Sequence, residues 1–379
     1  MTDRNATKEA HPDTQRNSEI VEKLKRVEGF LDRHAADALL LNRHGNIAWI
    51  TAGQVEARVV AGSETAVCSL LLTRDGRRYY LAPNNEAARL ADEEFAGLGY
   101  EAVIYPWHGE PGGRLRELIG DTALCSDAAA PNARLVNLAN LQTPLLPSEI
   151  DRLRIVSRET AAATVEVLEG LAPGVSEQEM AARTSAALLM RGLAPTVLLM
   201  GVDERIHRYK HAAARGGVLQ RYGMVNLCAR RWGLIVSITR FVHFGALPTE
   251  LSAAFEAAAQ IHAALLHATR DGAVSSDIFA AARRAYGSVS AADEIERHHQ
   301  GGPCGYAERD WVITPKGTEH VVAPQAFAYN PSLRGAKAED TVLLANGAIE
   351  ILTGTPGLPL IETVLDGVTY QSAGVLVRR

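Results

Sequence analysis

The 379-residue sequence has little of several features that mark specialised classes of protein. Its four cysteines, Cys68, Cys125, Cys228 and Cys304, lack Cys-x-x-Cys spacing, which excludes a disulfide-rich scaffold and predicts reduced thiols. No apolar run approaches the roughly 20 residues that span a bilayer. The N-terminus also lacks the charged-then-apolar pattern of a signal peptide. These absences predict a cytoplasmic protein with no membrane partner.

The chain also lacks an excess of positive charge. It has 39 Lys and Arg against 44 Asp and Glu, a formal net charge of -5. Because a nucleic-acid surface is normally basic, no nucleic-acid partner is expected. The 47% of hydrophobic and 22% of charged residues are ordinary globular values. The length is enough for two or three domains, and the composition is that of a soluble enzyme.

The first part of the chain predicts a small α/β domain. Residues 1–18 are polar without an apolar period, which predicts a disordered tail. Ser18 then precedes apolar residues at helical spacing, which predicts a first helix. Short β-type runs follow at residues 38–42, 47–51, 69–73, 79–82 and 102–105, with a helical stretch at 84–95. Strands that alternate with helices favour a partly parallel sheet over residues 19–145.

The pattern changes after Pro144 and Pro147, which mark a predicted domain boundary. Helices are predicted at residues 148–171, 176–191, 249–269 and 276–286, the second with a capping box of Ser176 and Glu179. Strands are predicted at residues 196–200, 224–230, 234–244, 321–330 and 341–352. Residues 146–379 therefore predict a larger domain of helix pairs and an antiparallel sheet.

Four segments of this second domain carry recognisable sequence blocks: residues 222–240, 298–305, 328–331 and 337–342. In order and spacing they resemble the signature blocks of the pita-bread family, which includes aminopeptidase P, prolidase, methionine aminopeptidase and creatinase. Asn46–Gly53 is similar to part of the N-terminal domain of creatinase and prolidase. The resemblance implies an α/β (α+β) fold, with a C-terminal pita-bread domain and a smaller N-terminal creatinase-like α/β domain.

Most metal-ligand positions implied by this resemblance have lost their ligands. The family's metallopeptidases hold two divalent ions with two Asp, one His and two Glu. Here the positions before the last Glu are filled by Asn226 or Ala229 (depending on a gap), Ser237, Gly302 and Asn330. Only Glu339 survives. Because two divalent ions need several anionic ligands, we expect no metal and no cofactor at these positions.

Creatinase is a precedent for this loss, since it keeps the fold without metal and cleaves a carbon–nitrogen bond with a histidine as general acid/base. The resemblance puts its catalytic histidine at His211, 12 residues before Gly223. An imidazole with a pKa near 6.5 can accept and return a proton at neutral pH. The predicted catalytic residues are therefore His211, His298 and Glu339.

Further residues are predicted to contact the substrate: Ser237, Arg240, Asn330, His299, Gly302, Tyr306 and Arg58. His298 and His299 are adjacent, so on a strand at most one would enter the pocket. Glu339 is either the one remaining ligand of the family's metal site, at the floor of the pocket, or a core carboxylate paired with Arg240. Gly302 would let a ligand approach the backbone closely.

The predicted function is a metal-independent, creatinase-like hydrolase that acts on an amide or amidine-like carbon–nitrogen bond of a small molecule. In creatinase-like dimers the N-terminal domain reaches into the partner's site, which suggests a homodimer with a contribution from Arg58. The floor of the predicted pocket is formed by Ser237, Asn330 and Glu339 and has about one negative charge. This charge favours a neutral or weakly polar substrate over a guanidinium.

Two alternatives stay open at this point. One is a catalytically inactive pita-bread binding protein. The other is an Xaa-Pro-type metallopeptidase with ligands rebuilt from His211, His298 or His299, and Glu339, since three such groups can hold one ion.

Overall fold

The computed structural model describes residues 13–379, with side chains from residue 16. The described chain divides into two compact units. The first contains the residues up to Gln142 together with Leu146–Ile150, and the second contains Thr143–Leu145 and Asp151–Arg379. None of the described helices is long and apolar enough to cross a membrane.

The first helix, α1, is Asp13–Arg33. It corrects the predicted disordered tail of residues 1–18, because residues 13–18 are helical. The rest of that tail, residues 1–12, lies outside the described residues. The first turn of this helix is polar and has no apolar residues at helical spacing. The sequence pattern therefore does not predict where the helix begins.

The first unit contains one six-stranded sheet in the order β4-β3-β2-β1-β5-β6. The pairs β1–β2 and β2–β3 are antiparallel and the others are parallel, which gives a partly parallel sheet. The strands are β1 Ala38–Arg43, β2 Thr65–Thr73, β3 Arg78–Pro83, β4 Glu101–Tyr105, β5 Leu124–Ser126 and β6 Ala133–Leu135. The helices after α1 are α2 His44–Ile50, α3 Ala87–Arg89, which continues as a π-helical turn at Leu90–Glu94, and α4 Pro111–Ile119.

Helix α2 corrects the strand predicted at residues 47–51. Ile47, Ala48, Trp49 and Ile50 are all buried. A short continuous apolar run fits a buried helix as well as a buried strand, so its period does not distinguish the two.

A buried ion cluster ties α1 to its neighbours in the first unit. Lys23 Nζ lies 2.6 Å from Glu19 and 2.7 Å from Glu149, and it donates to Trp49 O at 2.7 Å. Burial lowers the pKa of Lys23, and the two carboxylates oppose that effect. Such a cation is tolerated inside a fold because its donors are satisfied.

The second unit is built from helices around two four-stranded sheets, β18-β9-β8-β7 and β10-β11-β14-β15. The helices are α5 Pro147–Gly170, which begins in the first unit, α6 Glu177–Leu189, α7 Glu204–Arg208, α8 Thr249–Ala268 and α9 Ser275–Ser288. The strands are β7 Ala194–Val202, β8 Tyr222–Arg231, β9 Leu234–Phe244, β10 Gly301–Cys304, β11 Gln325–Tyr329, β12 Ser332–Leu333, β13 Ala336–Lys337, β14 Asp340–Ala345, β15 Ala348–Ile351, β16 Leu360–Leu365, β17 Val368–Ala373 and β18 Val375–Arg378. Ser176 caps α6, and its side chain accepts from Glu179 N as predicted.

Two predicted strands of this unit are corrected. The run at 321–330 is reduced to β11, since it contains Pro324, which cannot donate a ladder hydrogen bond. The run at 341–352 is a hairpin of β14 and β15, whose turn residues Asn346 and Gly347 both have positive φ.

The two sheets meet where β9 passes the start of β14. Ser237 N donates to Thr341 Oγ1 at 2.8 Å, and Thr341 Oγ1 donates to Ser237 O at 3.0 Å. Thr239 N donates to Glu339 O at 3.3 Å. These bonds fix the β9 side chains against Glu339, which lies between β13 and β14.

Candidate active site

Glu339 is the buried carboxylate at the centre of the candidate site. Its Oε2 atom accepts from Asn226 Nδ2 at 2.6 Å and from the Thr239 hydroxyl. Register pairs Asn226 with Thr239 and Cys228 with Ser237, so these four side chains share one face of the β8–β9 hairpin. Ala229 belongs to the opposite face. Asn226 is therefore the β8 residue that approaches Glu339, which resolves the alternative left open by the sequence.

Two cationic side chains lie against Glu339. Lys337 Nζ is 2.8 Å from Oε2, and Arg309 Nη2 is 3.5 Å from Oε1. Burial alone would raise the pKa of Glu339, but Lys337 and Arg309 outweigh it and lower the pKa to about 2. The carboxylate is ionised at neutral pH, and its charge is already compensated by the protein.

Arg240 does not pair with the Glu339 side chain, which corrects that prediction. Its Nη2 forms a 2.6 Å ion pair with Asp340. Its remaining bonds go to Thr239 O, Glu339 O, Thr353 O and Thr355 Oγ1 at 2.8 to 3.0 Å. A guanidinium has five N–H donors, and all five are used within the protein. Arg240 has no donor left for a substrate, so its role is structural.

His211, His298 and His299 form one cluster, which corrects the prediction that only one of the two adjacent histidines faces the site. The ligand nitrogens of the three lie within 4.8 Å of one another. His211 Nε2 is 3.0 Å from His298 Nε2, and the rings of His298 and His299 stack at 4.5 Å. His298 and His299 follow a 3₁₀ turn at Ala292–Arg297 and do not lie on a strand. The alternation of side chains along a strand therefore does not apply to them.

The pKa values of all three imidazoles are lowered, which favours their neutral forms at pH 7. Partial burial lowers the pKa of His298 to about 3, with Lys337 adding to the effect. It lowers the pKa of His299 to about 4, with Arg309 and Lys337 contributing. The pKa of His211 is lowered by burial and by Lys337. A neutral His211 has a free lone pair, which a general base requires.

The two glycines of β10 close the space where a metal-binding histidine side chain would project. A Cβ atom on Gly302 would lie 2.1 Å from Trp311 O, and one on Gly301 would lie 2.1 Å from Ala328 O. The backbone fills this side of Gly302. The predicted approach of a ligand there is therefore corrected, since the glycine serves chain packing.

Asn330 and Ser237 occupy two more of the predicted ligand positions. Asn330 directly follows Tyr329, which pairs with Asp340, so it lies at the level of Glu339. Its Oδ1 atom is buried without a hydrogen-bond partner. Ser237 Oγ accepts from Arg309 Nη1 at 3.0 Å and contacts Cys228 Sγ at 3.1 Å. No histidine is among these bonds, so nothing activates Ser237 as a nucleophile.

Two further predicted residues are Tyr306 and Arg58. Tyr306 is buried in the loop after β10. Arg58 lies in the first unit, where its Nη1 donates to Ala61 O at 3.2 Å. Its predicted role at a partner's site stays a prediction. Cys304 is buried and burial raises the pKa of its thiol to about 12, which makes it an inert side chain.

The residues do not fit a pair of divalent ions. Of the five ligand positions, only Glu339 offers an anion, and Lys337 and Arg309 already neutralise it. The three histidines offer neutral nitrogens for a single ion, but Lys337 is close enough to lower the pKa of each. The same positive charge opposes a dication at that place.

Lys337 and Arg309 are the residues of the candidate site that sequence reasoning missed. Lys337 gave a signal, because it lies two residues before Glu339 and a two-residue spacing keeps two side chains on one side of an extended segment. Arg309 lies in the loop after β10 and gave no signal, since no periodicity reports which distant residue a loop side chain will contact.

The family model of metallopeptidase family M24 matches residues 151–356. No curated protein matches the sequence. Among solved structures, dipeptidase PepE from Mycobacterium ulcerans is 18% identical, with a TM-score of 0.74 over 89% of this chain and 96% of that one.

Two further structures have the same TM-score of 0.74. The prolidase from Pyrococcus horikoshii OT3 is 16% identical over 88% of this chain and 98% of that one. The Xaa-Pro dipeptidase from Bacillus anthracis is 15% identical over 95% and 100%. At these identities the likeness concerns the fold, and it confirms the fold class predicted from the sequence.

Proposed function

The chain belongs to metallopeptidase family M24, and we propose that it is a hydrolase of this family that cleaves a carbon–nitrogen bond of a small molecule without a metal pair. Membership supports hydrolase chemistry of the M24 type. The observation that supports the metal-independent part is the arrangement around Glu339, where Lys337 and Arg309 already compensate the one carboxylate that a metal pair could use.

In the proposed reaction His211 acts as general base. Its neutral imidazole takes a proton from a water molecule as the water oxygen attacks the carbonyl or amidine carbon. The carbon–nitrogen bond then breaks, and the resulting imidazolium returns the proton to the leaving nitrogen. His298, 3.0 Å from His211, orients the ring and accepts part of its charge. The amide of Asn330 polarises the scissile group.

This proposal is tested with the full-length protein and a panel of Xaa-Pro dipeptides, N-acyl amino acids, ureido compounds and amidines, by detecting released amine or ammonia. Metal content is measured by mass spectrometry before and after chelation. We expect chelation to leave turnover unchanged, and His211→Ala to lower it by about 100-fold or more, since general acid/base catalysis contributes that much. His320→Ala, at an exposed histidine of the same unit, is the matched control.

Three outcomes would contradict the proposal. Turnover that chelation abolishes and a divalent ion restores would favour the metallopeptidase with rebuilt ligands. Turnover that survives in His211→Ala would remove the general base. Absence of turnover on the whole panel, with retained folding, would favour the binding-protein alternative.

We also propose that the protein is a homodimer in which Arg58 of one copy reaches the other copy's site. The resemblance to creatinase supports this arrangement. Sedimentation measures the dimer, and an inactive His211→Ala copy mixed with an inactive Arg58→Ala copy should regain part of the activity in mixed dimers. Without such complementation Arg58 has no role across the dimer.

A further inference from the structure

His211 and His298 are joined by a hydrogen bond, and neither ring has a second one among the described residues. Their Nε2 atoms are 3.0 Å apart, and His298 Nδ1 is buried without a partner. A neutral imidazole has one donor and one acceptor nitrogen, so one ring donates to the other. Apart from the stacking of His298 on His299, the geometry of the two rings depends on the main chain that carries them.

Each of these two histidines directly follows a basic residue, Lys210 before His211 and Arg297 before His298. Both basic side chains bind the same carboxylate. Lys210 Nζ is 2.6 Å from Glu294 Oε2, and Arg297 Nη1 is 3.2 Å from Glu294 Oε1. One carboxylate therefore joins the residue before His211 to the residue before His298.

The contact of Glu294 with Lys210 is the stronger of the two. The side chains of Lys210 and Glu294 are 23% and 16% exposed, whereas that of Arg297 is 63% exposed. Exposed ion pairs contribute little, and partly buried pairs are screened less by salt. Burial lowers the pKa of Lys210, and Glu294 opposes that effect. Lys210 therefore depends on Glu294 to remain charged in this place.

A second set of hydrogen bonds connects Lys210 to the main chain of His298. Lys210 Nζ donates to Ser332 O at 3.1 Å. Ser332 N donates to the Tyr286 hydroxyl at 3.0 Å, and this hydroxyl donates to Gln300 Oε1 at 2.8 Å. Gln300 Nε2 then donates to His298 O at 2.6 Å. Because Tyr286 and Gln300 are fully buried, this set holds the His298 main chain firmly.

The His211 segment has fewer constraints of its own. Residues 209–217, between α7 and β8, form neither helix nor strand. His211 is exposed, and Ala212 on its far side is buried in the core. Since no backbone ladder fixes this segment, the anchored side chains on either side of His211 set where its ring lies.

We propose that Glu294 is a positioning residue that holds His211 at hydrogen-bond distance from His298 through Lys210. Without the Glu294 charge, the partly buried ammonium of Lys210 loses its counter-ion and moves towards solvent. The adjacent His211 moves with it, and the two rings separate. The catalytic consequence rests on the proposed function, because the ring pair affects turnover only if His211 is the general base.

Nitrogen-15 NMR of the histidine rings in the full-length protein tests this role without a substrate. Scalar coupling between the two Nε2 nuclei passes through an N–H···N hydrogen bond, so it reports this bond directly. We expect the coupling in the parent protein at pH 7 and its absence in His298→Ala, which identifies the signal. Glu294→Gln keeps the shape of the side chain and removes its charge, and it should lose the coupling. Lys210→Met should lose it as well, whereas Lys210→Arg keeps the ion pair and should retain it.

Glu296→Gln is the matched control, two residues after Glu294. Glu296 Oε1 also forms an ion pair, at 2.8 Å from Arg283 Nη2, but Arg283 adjoins no histidine. This control should retain the coupling. The melting temperature of each variant verifies folding, so that lost coupling at an unchanged melting temperature excludes a general loss of structure. If Glu294→Gln does not fold, Lys210→Met and Lys210→Arg make the same comparison.

Turnover gives a second readout once a substrate of the panel is found. Glu294→Gln should lower kcat by about tenfold or more and leave KM little changed, because misplacing a catalytic group by about 1 Å costs up to about 100-fold. Lys210→Arg should keep most of the kcat that Lys210→Met loses.

Coupling that persists in folded Glu294→Gln, an equal loss in Glu296→Gln, or a parent protein without coupling would overturn the positioning role. These results are distinguishable from a failure of the proposed hydrolase. A protein that hydrolyses nothing on the panel but loses the coupling in Glu294→Gln keeps the positioning role and loses the reaction. A protein whose turnover depends on His211 while Glu294→Gln keeps the coupling does the reverse.

Discussion

Removing the Lys337 ammonium should destabilise the protein by an amount that depends on pH. The Glu339 carboxylate has a pKa of about 2 against an ordinary 4.5. Because one pKa unit corresponds to about 1.4 kcal/mol, this difference stabilises the folded state by roughly 3 kcal/mol at neutral pH. The stabilisation is present above pH 4.5 and is lost as the pH falls towards 2.

In Lys337→Met the buried carboxylate loses its nearest cation, so its pKa in the folded state rises. We expect a loss of about 3 kcal/mol in the free energy of unfolding at pH 7, in line with breaking a buried ion pair. The loss should shrink as the pH is lowered to about 4.5, since the variant then protonates Glu339 and no longer buries an unpaired charge.

Urea unfolding at pH 7 and pH 4.5, followed by tryptophan fluorescence, measures both values. Lys316→Met is the control and should stay within about 0.5 kcal/mol of the parent protein, since its side chain is exposed. A loss of equal size at both pH values would refute the electrostatic explanation and leave only packing. A variant as stable as the parent would show that Lys337 contributes nothing to the ionised state of Glu339.

Three further predictions concern other parts of the site. Gly302→His restores the histidine that the family has at this position. We expect this variant to fail to fold or to lose several kcal/mol in its free energy of unfolding, because the new Cβ would lie 2.1 Å from Trp311 O. A Gly302→His variant with an unchanged melting temperature would contradict this packing. NMR titration should find His298 and His299 neutral down to about pH 5, since their pKa values are about 3 and about 4. Because both lie below the ordinary 6.5, they reduce stability as the pH falls from 6.5, and ordinary titration near pH 6.5 would contradict the burial argument. Arg240→Met should cost about 3 to 5 kcal/mol in urea unfolding by stranding Asp340, and a smaller loss in the double variant with Asp340→Asn would confirm the pairing.

The sequence predicted regular elements better than contacts. Strand β9 was predicted at its observed bounds, and α6 began at the predicted cap, because period and capping are local properties of the chain. The short helix α2 was missed, since a four-residue apolar run carries no period of its own. The polar start of α1 was missed for the same reason.

The contacts within the candidate site were predicted less well than the positions of its motif residues. Motif order identified Glu339, Ser237 and the histidines, yet the partner of Arg240 was misassigned by one residue. Adjacent residues on an extended chain point to opposite sides, so Asp340 meets the guanidinium and Glu339 turns towards Lys337. Which of two adjacent side chains faces a given partner depends on how the two sheets pack against each other. The sequence does not report this packing.

The saturated guanidinium of Arg240 also links parts of the second unit that are distant in sequence. It holds main-chain or side-chain oxygens of Thr239, Glu339, Asp340, Thr353 and Thr355 at once. A change at Thr353 or Thr355, beyond the end of β15, would therefore be transmitted through one rigid planar group to the peptide that carries the central carboxylate. Substitutions at Thr353 or Thr355 are therefore a means of moving Glu339 while every side chain that contacts its carboxylate stays unchanged.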